Sequence, residues 1–235
     1  MIGKTDLKIY SGAEKPLKYD LVTAAHVHGK SGLDIEGSPI KIAENYELQD
    51  QHAVDFIIQT CHDFKDQIYL CPTGPLTNIA MSLQKDPSII KKIKEIVFMG
   101  GAAMTLGNIT PAAEFNIYVD PEAAKLVLQC SRPIVMMSLD VTHQVLTTQK
   151  RVDTIRNLVS SVGEEIAALI EFYERYDEEK YHLDGAPLHD PCTVAYLLKP
   201  ELFKFKNVNV EIETGGIFTL LSCGQGLTTK SLQDR

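Results

Sequence analysis

The chain has 235 residues, of which 44% are hydrophobic and 23% charged, a balance typical of a globular protein with a buried core. The formal net charge of −8 at pH 7 argues against nucleic acid or an anionic membrane as a partner. No apolar run approaches the roughly 20 residues that cross a bilayer. The N-terminus also lacks the apolar stretch of a signal peptide, so we expect a cytoplasmic protein with no membrane partner.

Neither the cysteines nor a histidine pair gives strong evidence of a metal site. The cysteines are odd in number, widely spaced and form no CxxC pair, so we interpret them as reduced thiols, with a nucleophile or zinc site as the alternative. His26 and His28 have a spacing that can bind zinc, but no third ligand with convincing spacing lies nearby. The glycines that follow could instead shape a loop that presents one histidine to a ligand.

Short apolar runs alternate with helical patterns through the middle of the chain. Strands are predicted at 67–71, 95–100 and 133–140. Helices are predicted after Pro75, after Asp86 as a cap, and at 121–130, where Asp120 and Pro121 have the types expected at an N-cap and first helical residue. This alternation predicts an α/β fold with a mostly parallel sheet, covered on both faces, in one domain over 1–235.

A longer helical pattern follows these elements. Apolar residues recur at three- and four-residue steps between Ile155 and Tyr176, which predicts one long amphipathic helix. The charge run at 174–180 is interpreted as the solvated end of that helix. A polar cluster, GAPLHDPCTVA, comes next at 185–195.

The predicted sheet suggests where a ligand would bind. Ligands of parallel α/β sheets bind outside the carboxyl ends of the strands. Three loops follow the predicted strands, at 71–78, 100–116 and 139–144, so their polar groups should converge. The second loop contains one carboxylate and two amides that could bind vicinal hydroxyls: Glu114, Asn108 and Asn116. The alternative is a loop that satisfies its own backbone.

The segment HDP within the polar cluster also has two interpretations. Asp190 precedes Pro191, which is typical of a helix N-cap. The functional alternative makes Asp190 a hard oxygen ligand for a divalent cation. His189 beside it could donate a proton or a hydrogen bond, or could be structural. Spacing alone leaves these alternatives open.

Several segments together resemble the inosine-uridine nucleoside hydrolase family, and in particular its pyrimidine-preferring branch: VHGKSGLD, PTGPLTNIA, IVFMGGA, GNITPAAEFNIYVDPEAA and GAPLHDPCTVAYLLKPELF. The resemblance runs from about Thr5 to Thr214. It implies a Rossmann-like core and hydrolysis of the N-glycosidic bond of ribonucleosides, with uridine and cytidine favoured and inosine as a further substrate. It also implies a role in nucleoside catabolism and salvage, and a homo-oligomer, dimer or tetramer.

The resemblance further implies a bound Ca²⁺ that holds the ribose 2′- and 3′-hydroxyls and a water molecule. Asp190 resembles a calcium carboxylate of the family, and Thr73 resembles the residue that offers calcium its backbone carbonyl. The residues that resemble the family's sugar pocket are Asn108, Glu114 and Asn116, which would hold the ribose, and Met99, which would line it.

The resemblance also implies roles around the nucleobase. His189 resembles the catalytic histidine placed near the leaving base. His28 resembles the loop histidine of the pyrimidine-preferring branch. Tyr173 and Tyr176 of the predicted long helix are further candidates for contacts with the base.

The chain departs from the family pattern in one respect that concerns catalysis. The family carries a DxDxGxDD-type cluster that supplies the general base and most calcium carboxylates, and these 235 residues do not contain it. We therefore expect a fold that is incomplete at both ends, and a chain that alone is inactive or poorly folded. The alternative function is a non-catalytic ribose- or nucleoside-binding protein. A Rossmann dehydrogenase is excluded because no GxGxxG follows a predicted strand.

Overall fold

The computed structural model describes residues 6–29, 32, 34–35, 38–39, 47–158, 161–181, 184–215 and 221–223. The strands are β1 Ile9–Tyr10, β2 Asp34–Ile35, β3 Ser38–Pro39, β4 Leu48–Gln49, β5 Ile68–Leu70, β6 Ile93–Met99, β7 Ile134–Met137, β8 Leu146–Thr147, β9 Ala186–Pro187, β10 Val210–Ile212 and β11 Leu221–Cys223. The helices are α1 Ala25–His28, α2 Ala53–Asp63, α3 Thr77–Lys85, α4 Phe115–Val119, α5 Pro121–Leu128, α6 Leu139–Thr142, α7 Gln149–Arg156, α8 Ser161–Tyr181 and α9 Pro191–Leu198. Short 3₁₀ helices cover Pro87–Lys92 and Pro200–Leu202.

The chain divides into two compact units. The first comprises Met1–Ile9, Val22–Leu48 and Val145–Leu188, and the second comprises Tyr10–Leu21, Gln49–Gln144 and His189–Arg235. Our expectation of one domain over 1–235 stays a prediction. Among the helices of the described residues, none is long and apolar enough to cross a membrane.

The second unit is built on a parallel three-stranded sheet in the order β5–β6–β7. The three predicted strands of the sequence are therefore confirmed, as is the parallel α/β class. Four consecutive residues at the end of β6, from Ile96 to Met99, are buried. Because successive side chains of a strand point to opposite faces, both faces of β6 are covered at this end.

The core of the second unit combines sheet residues with apolar faces of α2, α3 and α5. Its buried members include Cys61 of α2, Ile79 and Leu83 of α3, Ile96 and Phe98 of β6, Ala124 and Val127 of α5, and Met136 of β7. This packing fixes the sheet whose carboxyl ends carry the predicted binding loops.

Asp120 is the N-cap of α5, as its position before Pro121 predicts. Its buried carboxylate accepts a hydrogen bond from the backbone N–H of Ala123 at 3.0 Å, which is the capping contact. It also accepts from the Thr77 hydroxyl at 2.6 Å and from the backbone N–H of Leu17 at 2.9 Å. One side chain therefore joins α5 to α3 and to the segment that precedes α1.

Two predicted boundaries of the second unit need correction. The strand predicted at 133–140 ends at Met137, because the chain turns at Ser138 and α6 begins at Leu139. Asp86 does cap a helix, since its carboxylate accepts from the backbone N–H of Ser88 at 2.9 Å. That helix, however, is a 3₁₀ helix.

The single long helix predicted between Ile155 and Tyr176 is wrong. In the first unit, α7 ends at Arg156 and α8 begins at Ser161. A Cβ atom on Gly163 would lie 2.5 Å from the carbonyl oxygen of Ile155, so glycine allows the start of α8 to pack closely on the end of α7. Arg156 also bridges the two helices through Glu171, at 2.5 Å. The spacing of the apolar residues continues from α7 into α8, so it does not reveal that the helix is interrupted between them.

Candidate functional site

The loops at the carboxyl ends of β5, β6 and β7 are joined to one another by backbone hydrogen bonds. The backbone N–H of Met99 donates to the carbonyl of Pro72 at 3.0 Å, which joins the first loop to the end of β6. The backbone N–H of Leu139 donates to the carbonyl of Gly101 at 2.8 Å, which joins the third loop to the second. The convergence predicted from the strand pattern is therefore observed at this edge of the sheet.

Glu114 ties the beginning of the second loop to its end. Its carboxylate is buried, and it accepts hydrogen bonds from the backbone N–H groups of Asn116 at 3.0 Å and Ile117 at 3.2 Å, which makes it the N-cap of α4. It also accepts from the backbone N–H of Gly101 at 2.9 Å. Burial raises the pKa of this carboxyl, the three backbone donors oppose that rise, and the charge of Asp190 adds to it.

The charge of Asp190 contributes to the raised pKa of Glu114, so the HDP segment lies within electrostatic range of the second loop. Asp190 occupies the N-cap position of α9, but its backbone is already helical, with φ −61° and ψ −41°, and its side chain makes no capping hydrogen bond. The N-cap position predicted for Asp190 is therefore confirmed, but its side chain does not cap the helix. Although the residue is exposed, the surrounding protein desolvates its carboxyl group and raises the pKa to about 6.

The amide of Asn116 faces the last residue of β6. Its Nδ2 donates to the carbonyl oxygen of Met99 at 3.1 Å and approaches the Met99 sulfur at 3.3 Å. Met99 is buried, so this contact fixes the orientation of the amide against the sheet. These two residues, predicted as sugar-binding groups, are thus direct neighbours.

Asn108 closes the second loop. Its Oδ1 accepts from the backbone N–H of Phe115 at 2.8 Å, and its own N–H donates to the carbonyl of Ala113 at 3.1 Å. A Cβ atom on Gly107 would lie 2.2 Å from the carbonyl oxygen of Ala113, so only glycine permits the close approach before Asn108. The alternative interpretation, a loop that satisfies its own backbone, is therefore correct in part, because the Asn108 side chain accepts a hydrogen bond from the loop backbone.

His189 contacts α6 through its imidazole ring. Its Nδ1 lies 2.8 Å from the hydroxyl oxygen of Thr142, which is buried, and its ring is tilted against that of His143 with centroids 5.8 Å apart. The polar cluster at 185–195 therefore meets the third loop at His189. Thr142 was not among the predicted site residues, since a buried threonine in a short helix gives no signal of its own.

Thr73 is exposed in the loop after β5. Within the part of the chain that the structure describes, no three His, Cys, Asp or Glu side chains cluster in a way that could hold a metal ion. Ca²⁺ takes six to eight oxygen ligands. Asp190 and the Thr73 carbonyl can supply only a part of such a set, so the described donors do not by themselves fit a calcium site.

His28 belongs to the first unit, at the end of α1. Its Nδ1 is hydrogen-bonded to the hydroxyl of Tyr173 in α8, and the two rings lie 4.9 Å apart between centroids. Tyr176 lies in α8 too, but its side chain is outside the described residues. Two of the predicted base-contacting residues are therefore neighbours within this unit.

A parallel α/β sheet with polar groups gathered at its carboxyl edge defines a ligand-binding fold of the Rossmann-like kind. The chain belongs to the inosine-uridine preferring nucleoside hydrolase family, whose model matches residues 1–230. Its members are ribonucleoside hydrolases that generally depend on calcium.

Similar proteins come from bacteria, a yeast and a plant. The pyrimidine-specific ribonucleoside hydrolase RihA of Escherichia coli is 44% identical over 229 residues, or 97% of this chain and 71% of that protein. An uncharacterized protein of Schizosaccharomyces pombe is 47% identical over 94% of this chain and 70% of its own length. Among solved structures, the purine-preferring ribonucleoside hydrolase of Gardnerella vaginalis matches with TM-score 0.87 at 33% identity, over 95% of this chain and 72% of that one. A plant nucleoside hydrolase, PpNRh1, matches with TM-score 0.88 at 31% identity, over 97% and 76%.

Proposed function

We propose that this chain binds ribonucleosides at the carboxyl edge of β5–β6–β7 and contributes to hydrolysis of their N-glycosidic bond, with uridine and cytidine preferred and inosine as a further substrate. The observation that carries the proposal is the carboxyl group of Asp190, which makes no capping hydrogen bond at the start of α9 and whose charge contributes to the raised pKa of Glu114 in the second loop. A helix start that leaves its carboxylate unused for capping keeps that group available for a ligand. The preference for pyrimidines rests on similarity to RihA.

The ribose would be held by the second loop. Glu114 receives one backbone hydrogen bond on Oε1, so that oxygen keeps capacity to accept a sugar hydroxyl. Asn116 is oriented by its contact with Met99, and Asn108 stands at the closed end of the same loop. An amide offers both donor and acceptor atoms, which suits the two vicinal hydroxyls of ribose.

Asp190 and the backbone carbonyl of Thr73 would contribute to a calcium site. Desolvation raises the pKa of Asp190, which is the behaviour of a carboxyl that lacks a compensating positive charge. A hard cation with oxygen ligands would supply that charge. Asp190 and Thr73 together supply fewer oxygen atoms than Ca²⁺ needs, so they would form only part of its ligand set.

His189 would act at the leaving base, as a group that donates a proton or hydrogen bond to it. Its ring is fixed on one side by the Thr142 hydroxyl, which limits the orientations of the imidazole. His28, with Tyr173 beside it, would contribute to recognition of the base. A cytoplasmic location and a homo-oligomer, dimer or tetramer, complete the proposal.

Release of free base from uridine, cytidine and inosine in the presence of Ca²⁺ tests this function, with E. coli RihA measured in parallel. Loss of a general base typically lowers a rate by ~10²–10⁴-fold. Since these 235 residues contain no DxDxGxDD pattern, we expect nucleoside binding with turnover well below that of RihA. Binding with no release at all would favour the alternative, a non-catalytic nucleoside-binding protein. Absence of both would refute the proposal.

A further inference from the structure

One carboxylate, that of Asp140, holds the start of the loop at 100–116. Its Oδ1 accepts hydrogen bonds from the backbone N–H groups of Met104 at 2.7 Å and Thr105 at 2.9 Å. Its Oδ2 accepts from the backbone N–H of Ala103 at 2.8 Å and from the Ser138 hydroxyl at 2.8 Å. Three consecutive backbone donors of one loop are thus satisfied by a side chain from the next loop of the sheet.

Apolar packing holds only the beginning of this segment, where Ala103 packs against the hydrophobic core. Met104 is 79% exposed and Leu106 is 72% exposed, so the chain after Ala103 buries little apolar surface. A segment with few buried apolar contacts opens easily unless polar contacts fix its backbone. Hydrogen bonds to an ionised acceptor are stronger than those to a neutral one, and Asp140 supplies them here.

The segment held by Asp140 leads directly into the proposed ribose-binding residues. Asn108 lies three residues after Thr105, and its position depends on the path of the intervening chain. Glu114 accepts from Gly101, so the loop is anchored on both sides of the segment that Asp140 holds. Without Asp140, the backbone N–H groups at 103–105 would lose their acceptor, whereas the hydrogen bonds between β5, β6 and β7 would remain.

We propose that Asp140 is a positioning residue for nucleoside binding, which holds the loop at 100–116 in the form in which Asn108 and Glu114 meet the ribose. This inference rests on the proposed function, because the ribose contacts belong to it. Asp140 touches the loop backbone and Ser138, so it acts through the loop.

Three variants separate this role from others. Asp140→Ala removes every acceptor, whereas Asp140→Asn keeps one side-chain oxygen and the same shape. Asp63→Ala is the matched control, because Asp63 is an exposed carboxylate at the end of α2. We expect uridine to bind Asp140→Ala at least about tenfold more weakly than the wild type. Asp140→Asn should restore part of the affinity, and Asp63→Ala should bind as the wild type does.

Backbone amide exchange, measured by NMR on the same proteins, shows whether the effect is local. We expect the amides of Met104 and Thr105 to exchange faster in Asp140→Ala, with those of β6 unchanged. Equal uridine affinity in Asp140→Ala and wild type would overturn the inference and leave the proposed function intact. Faster exchange throughout β6 would overturn it as well, since the role would then be general stability. If the wild type binds no uridine, the proposed function fails and this inference fails with it.

Discussion

His189 Nδ1 lies 2.8 Å from the hydroxyl oxygen of Thr142, a residue 47 positions earlier that is completely buried in α6. A buried hydroxyl held by a helix has little freedom to move, so it restricts the imidazole ring in turn. The neighbouring Asp140 holds the loop at 100–116 from the same helix. This four-residue helix therefore supports two of the proposed binding elements at once.

Replacing Thr142 with valine tests the support of His189. Valine keeps the shape of threonine but offers no hydroxyl, so Nδ1 loses this partner. We expect the ring ¹⁵N shifts of His189 to change in Thr142→Val, with the free energy of unfolding lower by about 1–3 kcal/mol. Thr142→Ser keeps the hydroxyl and should retain the wild-type shifts. Identical ring shifts in all three proteins would show that the hydroxyl does not orient the histidine.

A glycine substitution tests the shape of the second loop. A Cβ atom on Gly107 would lie 2.2 Å from a backbone oxygen, a contact that cannot be relieved by turning a side chain. Gly107→Ala should therefore displace Asn108 and weaken uridine binding by about tenfold or more. Gly74→Ala is the control, because a Cβ atom at Gly74 would have no neighbour within 4 Å. Calorimetric titration of both variants measures the difference, and equal affinities would count against the loop as the ribose site.

The sequence predicts those features that depend on local residue types. The Asp120–Pro121 pair predicts the start of α5 because the capping contact joins residues only three apart. The apolar run that ends β6 predicts a strand because four consecutive buried residues require cover on both faces. Convergence of the loops follows in turn from the parallel order of the strands.

Features that depend on distant contacts could not be predicted in this way. The break between α7 and α8 requires Gly163 to lie against the carbonyl of Ile155, and the apolar spacing is the same with or without that contact. Asp190 has the residue type of a cap and occupies the N-cap position, but its backbone is already helical and its side chain makes no capping hydrogen bond. Asp140 bonds to a loop about 36 positions earlier, which no local pattern indicates.

Asp120 should make a large contribution to stability. Its buried carboxylate accepts hydrogen bonds from Thr77, Leu17 and Ala123. Asp120→Ala leaves these donors without an acceptor. Each of the two buried donors, on Thr77 and Ala123, then costs about 1–3 kcal/mol, whereas the N–H of the exposed Leu17 can bond to water. We expect the free energy of unfolding in urea to fall by at least about 2 kcal/mol, with Asp63→Ala nearly neutral. A loss below about 1 kcal/mol would mean that water replaces the carboxylate.

Asp190 should destabilise the folded chain at neutral pH. Its pKa in the folded state is about 6, above the ordinary value of 3.8. The folded chain therefore binds the carboxyl proton of Asp190 more tightly than the unfolded chain does. The resulting contribution to the free energy of unfolding is complete below about pH 4 and is lost as the pH rises through about 6. Asp190→Asn should melt higher than wild type at pH 7 in calcium-free buffer, with the difference shrinking toward pH 4. If the melting temperatures of Asp190→Asn and the wild type differed by the same amount at pH 4 and pH 7, ionisation of Asp190 would not be the cause.

Calorimetric titration with uridine and with 2′-deoxyuridine tests recognition of the ribose hydroxyls. A site built to hydrogen-bond a hydroxyl discriminates strongly against an analogue that lacks it. We expect uridine to bind at a single site per chain and 2′-deoxyuridine to bind at least about tenfold more weakly. Glu114 and Asn116 would then have the roles proposed for them. Equal affinities for the two nucleosides, or no binding of uridine, would show that the carboxyl edge of β5–β6–β7 is not a ribose site.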